Sequence, residues 1–417
     1  MSEREPRMLV PQYVRRFACI GGACEDTCCK GWQVFVDEPT YKKYRHCPDP
    51  GLLVQMTANV TRNRKNPTPA HFAKIRLTAD VSCPFLDAER LCSIQKRLGE
   101  EYLSVTCASY PRVWNIMNGL LEESMTMACP EAARLALLNP NVMEFDEVER
   151  PPLRIAEIQG SDTNAIPPTE PGHYFWELRI FSITLLQNRD YSVGERLLLL
   201  GLFYRALQEL VDQGKVVEAR QLIATYTANI ERGAYREHLI DLRSQSSVPV
   251  ALLRQIEDRT LLSGVISPRY TECLVEFSAG IGNTEGAMIE DVARTYSEAC
   301  EKYYEPFMAT NEHILENLLV NFVFRNLFPF NGGNHPFDNY VKLALYYSLV
   351  RTFLIGIAGF HKEGFTAEHV VKLVQSFAKT IEHNPTYLAR LHTAMMASSS
   401  ASMAHMTVLI NSGSSRR

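Results

Sequence analysis

From about residue 172 onward, apolar residues recur at intervals of three and four with polar residues between them, the repeat of a helix that buries one stripe. This pattern predicts helices over 174–190, 194–213, 216–232, 249–265, 285–308, 312–326, 337–360 and 366–382. The stretches "YTECLVEFSAGI" and "VARTYSEACEKYYE" read as helices too. "TNEHILENLLVNFVFRNLF" opens with Thr310 or Asn311 as a cap and Glu312 in the first turn. The closing "MASSSASMAHMTVLINSGSSRR" is Ser-rich and unpatterned, which predicts a flexible tail over 396–417.

Before residue 140 the helical period is missing. Pro, Gly, Asn and Asp punctuate short apolar runs, as in "YKKYRHCPDPG" and "TRNRKNPTP", so long helices are not expected there. "SIQKRLGEEYL" reads as one short helix. "NGLLEESMTMACPEAARLALL" begins like a hairpin and ends as a helix with Pro130 in its first turn. The fold class is therefore mainly α: a loop-rich region over 1–140, a multi-helix domain over 141–395, and the tail. The longest apolar runs, 197–203 and 353–360, are far shorter than the roughly 20 residues that span a bilayer, so no transmembrane helix is expected.

Composition changes the picture where the cysteines lie. Nine of the eleven precede residue 130. Residues 1–134 carry 18 Lys/Arg against 15 Asp/Glu, a net of +3 that leaves −7 for the remainder. A total of −4 gives no bulk affinity for nucleic acid. The N-terminal "MSEREPRMLVPQYVRR" has no apolar core of a signal peptide and points to the cytoplasm, where thiols bind metal or do chemistry rather than form disulfides. A chain of 417 residues needs no disulfide staples to fold. Cys273 and Cys300 are expected to be small buried apolar residues.

The remaining thiols have a pattern. Cys19, Cys24, Cys28 and Cys29 fall within eleven positions, and Cys83, Cys92, Cys107 and Cys129 follow at wide intervals. Structural zinc sites usually show short paired loops on both sides, and only the first half resembles that. Iron–sulfur proteins want three close thiolates and a remote one, which Cys19, Cys24 and Cys28 with a later cysteine would satisfy. Adjacent side chains of an extended segment point to opposite faces, so Cys28 and Cys29 are not expected to serve one iron alike. Both metals stay open on spacing alone, as do one site or two. In either case the ligands would supply folding energy that the loop-rich region lacks.

Ordinary nucleotide loops are absent: neither the dinucleotide glycine fingerprint nor a P-loop occurs, and neither "HExxH" nor "GxSxG" is present. His335 in "FNGGNHPFDNY" reads as structural. Arg112 in "SYPR" has the guanidinium fork that pairs with carboxylates, with an ordinary salt bridge the plainer reading.

Four blocks, "VPQYVRRFACIGGACEDTCCKGWQVFVD", "CPFLDAERLCSIQKRLGEEYLSVTCASYPR", "ACPEAARLALLNP" and "ENLLVNFVFRNLFPF", occur in order and resemble the flagellin lysine-N-methylase family. The thiol run also resembles cysteine-rich proteins described as zinc- or iron-chelating. The resemblance implies transfer of methyl groups from S-adenosylmethionine to surface lysines of flagellin. It also implies a [4Fe–4S] cluster held among Cys19, Cys24, Cys28, Cys29, Cys83, Cys92, Cys107 and Cys129, with Cys47 incidental. On that reading Arg112 and the Gly21–Gly22 turn flank the thiols and would receive the cofactor's carboxylate, while Tyr110 and Glu25 are candidate bases. Radical enzymes using this cofactor present C-x3-C-x2-C. Here Cys24 and Cys28 supply the first interval and Cys29 follows at once, so radical and polar transfer both stay open. The alternative is a non-catalytic zinc- or iron-binding scaffold, and an electron carrier is the least economical. Peripheral membrane association and oligomerisation are left open.

Overall fold

The computed structural model describes residues 7–149, 154, 158–244, 267–330, 335–382, 393 and 402–411. The helix expected over 249–265 lies outside them.

Eight short strands belong to the first 161 residues: β1 (Arg7–Pro11), β2 (Phe35–Val36), β3 (Val60–Arg62), β4 (Ala73–Ile75), β5 (Arg112–Met117), β6 (Leu120–Met125), β7 (Phe145–Glu149) and β8 (Gln159–Ser161). They form a mixed five-stranded sheet, β7-β1-β6-β5-β8, and a three-stranded antiparallel sheet, β2-β4-β3. The β5–β6 hairpin turns on Asn118 and Gly119, at φ +52° and +79°. Positive φ at both positions matches the right-handed twist of the strands, so the hairpin in "NGLLEESM" forms as the sequence predicts. The helix that follows is Pro130–Leu137, with Pro130 in its first turn. Ser93–Leu98 is the short helix expected in "SIQKRLGEEYL", and no helix described before residue 140 exceeds the ten residues of Pro50–Asn59.

The later helices are Phe175–Leu186, Val193–Asp212, Ala219–Glu231, Pro268–Gly280, Ile289–Ala299, His313–Arg325, Pro336–His361 and Ala367–Phe377. Mainly α is thus the observed class. Val193–Asp212 starts with a reciprocal capping box of Ser192 and Glu195. Two expectations are corrected. Neither Thr310 nor Asn311 caps the next helix: both side chains bond back to the Phe307 carbonyl, because the helix Glu305–Asn311 runs almost straight into His313–Arg325. Within the expected tail, Met403–Ile410 is a helix with Met406, Leu409 and Ile410 buried in the main core, an apolar spacing that its Ser-rich surroundings conceal. The boundary at 140 is also crossed, since β7 and β8 pair with β1 and β5.

Pro336–His361 is the central helix. By length and composition it is apolar enough to cross a membrane, but 89% of its most apolar stretch is buried inside the protein. Pro268–Gly280 crosses it at glycines: a Cβ on Gly280 would sit 1.8 Å from the Gly356 carbonyl oxygen. Only a residue without a side chain permits that approach.

The N-terminal sheet and the helices share one core. Arg179 of Phe175–Leu186 and Glu122 of β6 form an ion pair with both side chains buried. Tyr13 donates to Asn321 Oδ1 at 2.6 Å and accepts from the Met125 amide at 2.9 Å. Asn317 donates to the carbonyls of Leu137 and Asn139. A smaller core, built on Val36, Val60, Ala73, Ile75, Phe85 and Cys83, lies under the three-stranded sheet, and Cys29, Trp32, Cys92 and Cys107 pack against it.

Candidate metal centre

The first thiol run is held by backbone hydrogen bonds to the second block. Cys83 N donates to Cys29 O at 2.7 Å, Gly31 N donates to Val81 O at 3.0 Å, and Lys30 bridges to Ser82. Leu86 bridges to Cys92, which immediately precedes Ser93–Leu98. Cys107 lies in the helical turn Val105–Ser109, whose cap Ser104 accepts from the Cys107 amide. Cys129 precedes Pro130–Leu137.

These anchors sort the eight thiols into two groups. Cys28, Cys29 and Cys83 are close enough to perturb one another's thiols, and Cys92 and Cys107 lie within electrostatic reach of Cys28. Cys19, Cys24 and Cys129 influence one another in the second group. The extended geometry assumed for Cys28 and Cys29 is not what is observed. The segment is a turn rather than a strand, with the Cys29 amide donating to Thr27 Oγ1 at 3.1 Å, and a turn lets neighbouring side chains converge.

Burial and mutual repulsion raise the pKa of Cys24, Cys28, Cys29, Cys92, Cys107 and Cys129 in the metal-free chain. The hydrogen bond to Cys29, then burial, raises Cys28 far above its ordinary value. Cys29 is drawn down by Cys28 but pushed up by Cys83 and burial, to about 12. Burial takes Cys107 and Cys129 to about 12 and raises Cys24 and Cys92. A metal would displace those protons. Among the described residues, no three Cys, His, Asp or Glu side chains already form a cage for a single ion. The first group is nevertheless an all-sulfur donor set of five, the chemistry that iron–sulfur clusters take. A polynuclear cluster also needs its thiolates spread over separate irons rather than gathered on one. On donor chemistry the residues fit such a group.

Two side chains from one sequence-distant helical segment complete the centre and were not singled out by the sequence pattern. Lys379, only 10% exposed, reaches Asp26 Oδ2 and the Thr27 carbonyl, both at 2.8 Å. Gln375 donates to Asp26 Oδ2 at 2.9 Å and to the Ala128 carbonyl at 3.0 Å. Asp26 lies between Cys24 and Cys28, and Ala128 adjoins Cys129, so one helical segment ties both parts of the thiol region. Gln375 and Lys379 stand among several polar residues of this helical segment, so nothing in the sequence marks them out.

The other predicted residues are placed as follows. Tyr110 lies between the thiol groups, its ring 5.7 Å from Trp32, and burial followed by Cys129 and Cys28 holds its hydroxyl well above its ordinary pKa. Glu25 pairs with Arg134 at 2.5 Å, which also binds Glu131. Arg112 pairs with buried Glu123 at 3.0 Å and lies over the Phe17 ring. The Gly21–Gly22 turn, with Gly21 at φ +56°, is covered by Leu91 and the Glu89 carbonyl. Cys47 is buried in the same small core as Cys83 and donates to Asp49 O, and Cys273 and Cys300 are buried among the helices. Exposed His335 contributes its carbonyl to Asn339. At the far end of β5, roughly 17 Å from Arg112 at 3.4 Å per residue, a cavity of about 230 Å³ is lined by Met117, Gly160, Thr163, Phe175, Leu327 and Phe330.

Three comparisons bear on this architecture. The lysine-N-methylase of Salmonella typhimurium is 26% identical over 398 residues, which is 93% of this chain and 95% of that protein. The lysine-N-methylase of Salmonella choleraesuis matches to the same extent. The flagellar biosynthetic protein FliU of Salmonella muenchen is 37% identical over 145 residues, 34% of this chain and 85% of that protein. No solved structure matches. Residues 179–409, more than half of the chain and including the Gln375–Lys379 segment, match the FliB lysine N-methylase C-terminal domain, and the chain belongs to the FliB lysine N-methylase family.

Proposed function

We propose that this protein transfers methyl groups from S-adenosylmethionine to lysine side chains of flagellin, and that thiols of the N-terminal region hold a [4Fe–4S] cluster on which the activity depends. The observation that carries this reading is the convergence of Cys28, Cys29, Cys83, Cys92 and Cys107 in a chain of this family. The relatives' names, for lysine methylation and for flagellar biosynthesis, support the substrate class.

A bound cluster supplies electron-transfer chemistry and the sulfonium cofactor supplies the methyl group. The chain's own residues shape the site. Four of the five convergent thiols suffice to hold a cluster, and Cys19, Cys24 and Cys129 lie beside them across Tyr110. Trp32 and Tyr110 place two aromatic rings beside the thiols, with the Trp32 indole donating to the Cys28 carbonyl. A lysine amine, with a pKa of about 10.4, has to lose its proton before polar transfer. Glu25 would first have to leave Arg134, and Tyr110, held protonated, is better suited to donate a hydrogen bond than to accept a proton. Arg112 would receive the cofactor's carboxylate in exchange for Glu123.

The test is anaerobic purification followed by iron, sulfide and zinc analysis, then incubation with flagellin, cofactor and reductant. About four irons with matching sulfide and flagellin mass rising in single-methyl steps are expected. Stoichiometric zinc without sulfide, together with unmodified flagellin, would replace this reading with a metal-binding scaffold.

A further inference from the structure

The segment 33–76 is charged unlike the rest of the chain. It carries eight Lys/Arg against three Asp/Glu, a net of +5, while the remainder is −9. All three acids are engaged internally. Asp37 accepts from the Thr40 and Val105 amides, Asp49 accepts from the Leu52 amide and pairs with Arg97, and Glu38 pairs with Lys42. Among the cations, Lys43 bonds the Glu101 carbonyl and Arg62 lies over the Phe72 ring. Exposed Arg64, Lys65, Lys74 and Arg76 form no ion pair among the described residues.

Strand register gathers these four. Ala73 and Ile75 are buried toward the thiol-bearing core, so Lys74 projects from the opposite face of β4, with Arg76 two residues on. Lys74 is flanked by Phe35 on β2 and Thr61 on β3, and the Phe35 ring rests 4.3 Å from His71. Arg64 and Lys65 lie in the β3–β4 loop. That loop is pinned: Asn63 Nδ2 donates to the carbonyls of Asn66 and His71, and the His71 amide donates to Thr68 Oγ1. The cations are thus presented by a preorganised surface, which lowers the ordering cost of binding.

We propose that the outer face of the β2-β4-β3 sheet, carrying Lys74 and Arg76 with Arg64 and Lys65 beside them, docks an acidic segment of the protein substrate. The proposal rests on the methylase reading, which requires a protein to be held while one of its lysines is presented. Charge sets the size of the occupant. A nucleic acid or an anionic bilayer would extend past the patch onto the −9 remainder and be repelled, whereas a short acidic peptide meets the cations alone. The one apolar ring flanking Lys74, Phe35, is half-buried and rests on His71 rather than projecting as bilayer insertion would need.

Two measurements test it on the full-length protein. The first is fluorescence anisotropy of a labelled lysine-free peptide rich in Asp and Glu, with the quadruple variant Arg64→Glu, Lys65→Glu, Lys74→Glu and Arg76→Glu as comparison. Circular dichroism checks its fold, and the neutral pair Lys74→Gln and Arg76→Gln serves as a milder variant. Wild type should bind with an affinity that falls as salt rises, and the quadruple variant should bind roughly tenfold or more weakly. Equal binding overturns the proposal. So does tighter binding, at the same salt, of phosphatidylserine vesicles or a single-stranded oligonucleotide, or a wild-type dimer in light scattering that the charge reversal dissolves. The second measurement is methylation. KM for flagellin should rise about tenfold in the variant while turnover of a short lysine peptide without acidic residues stays unchanged, and loss of both rates alike overturns docking. If wild type methylates neither, the enzymatic reading falls, and the anisotropy result still decides whether the surface binds acidic peptide.

Discussion

The ammonium of Lys379 is set between the Asp26 carboxylate and the Thr27 carbonyl, 2.8 Å from each, so a residue near the end of the family domain grips the chain between two cysteines of the N-terminal region. Its charge lies within reach of Cys28, and its stem passes 3.8 Å from where a Cβ on Gly31 would be. The run from Asp26 to Gly31 is wrapped around one lysine. Lys379→Met leaves a nearly buried carboxylate without its cation, a change that costs about 3 kcal/mol. Urea unfolding should show that loss. Thiol-reagent kinetics on metal-free protein should show faster modification of Cys28, and an unchanged rate would mean that the turn holds itself.

Arg112→Ala separates cofactor binding from stability. Burial raises the Glu123 carboxyl above its ordinary value, with Arg112 pulling it back. A raised carboxyl favours folding while it is protonated, so its contribution is complete below the unfolded value of about 4.3 and disappears as pH climbs through the folded value. Removing Arg112 lifts that folded value further. The variant should therefore be less stable by about 2 kcal/mol at neutral pH, with the gap closing toward pH 4. A pH-independent gap in denaturant titrations would show that packing on Phe17 matters more than charge. Equilibrium dialysis with S-adenosylmethionine on the same variant tests its proposed binding role.

Cys92→Ser should lower metal content and soluble yield together, because the loop-rich region folds on its ligands. Cys47→Ser and Cys273→Ser should retain the metal. Equal metal retention by all three would reduce the later thiols to core packing.

Glu316 binds Arg189 at 2.8 Å and Arg196 at 2.7 Å, and both it and Arg196 are almost wholly buried. Glu316→Gln leaves buried Arg196 with only the more distant Glu312, 3.5 Å away, as its counter-charge, and about 3 kcal/mol of stability should vanish. Thermal unfolding of the variant with intact thiols checks this, and a transition at the wild-type temperature would contradict it.

Helical periodicity was legible because each helix buries one stripe, and Phe175–Leu186 through Ala367–Phe377 fall where that stripe predicts. The hairpin at Asn118–Gly119 was legible through turn chemistry. The centre was half legible. The thiols announce a metal, but their grouping depends on a turn at Cys28–Cys29 and on backbone bonds from Val81 and Cys83, which spacing does not encode. Lys379 and Gln375 were hidden because their partners lie some 350 and 247 positions away. The short strands β2 to β4 carry too few residues for a period-two signal.

The N-terminal strand also has a bearing on synthesis at the ribosome. β1 is made well before its partners: Met8 and Leu9 pair with Leu121 and Glu122, the strand at 145–149 lies on the other side, and the buried acceptor of Tyr13 is Asn321, 308 positions later. Until the helix His313–Arg325 has been made, the first strand and the aromatic ring behind it cannot settle. Gln375 and Lys379, which hold Ala128 and Asp26, come later still, so the last restraints on the thiol region are supplied from the far end of the chain.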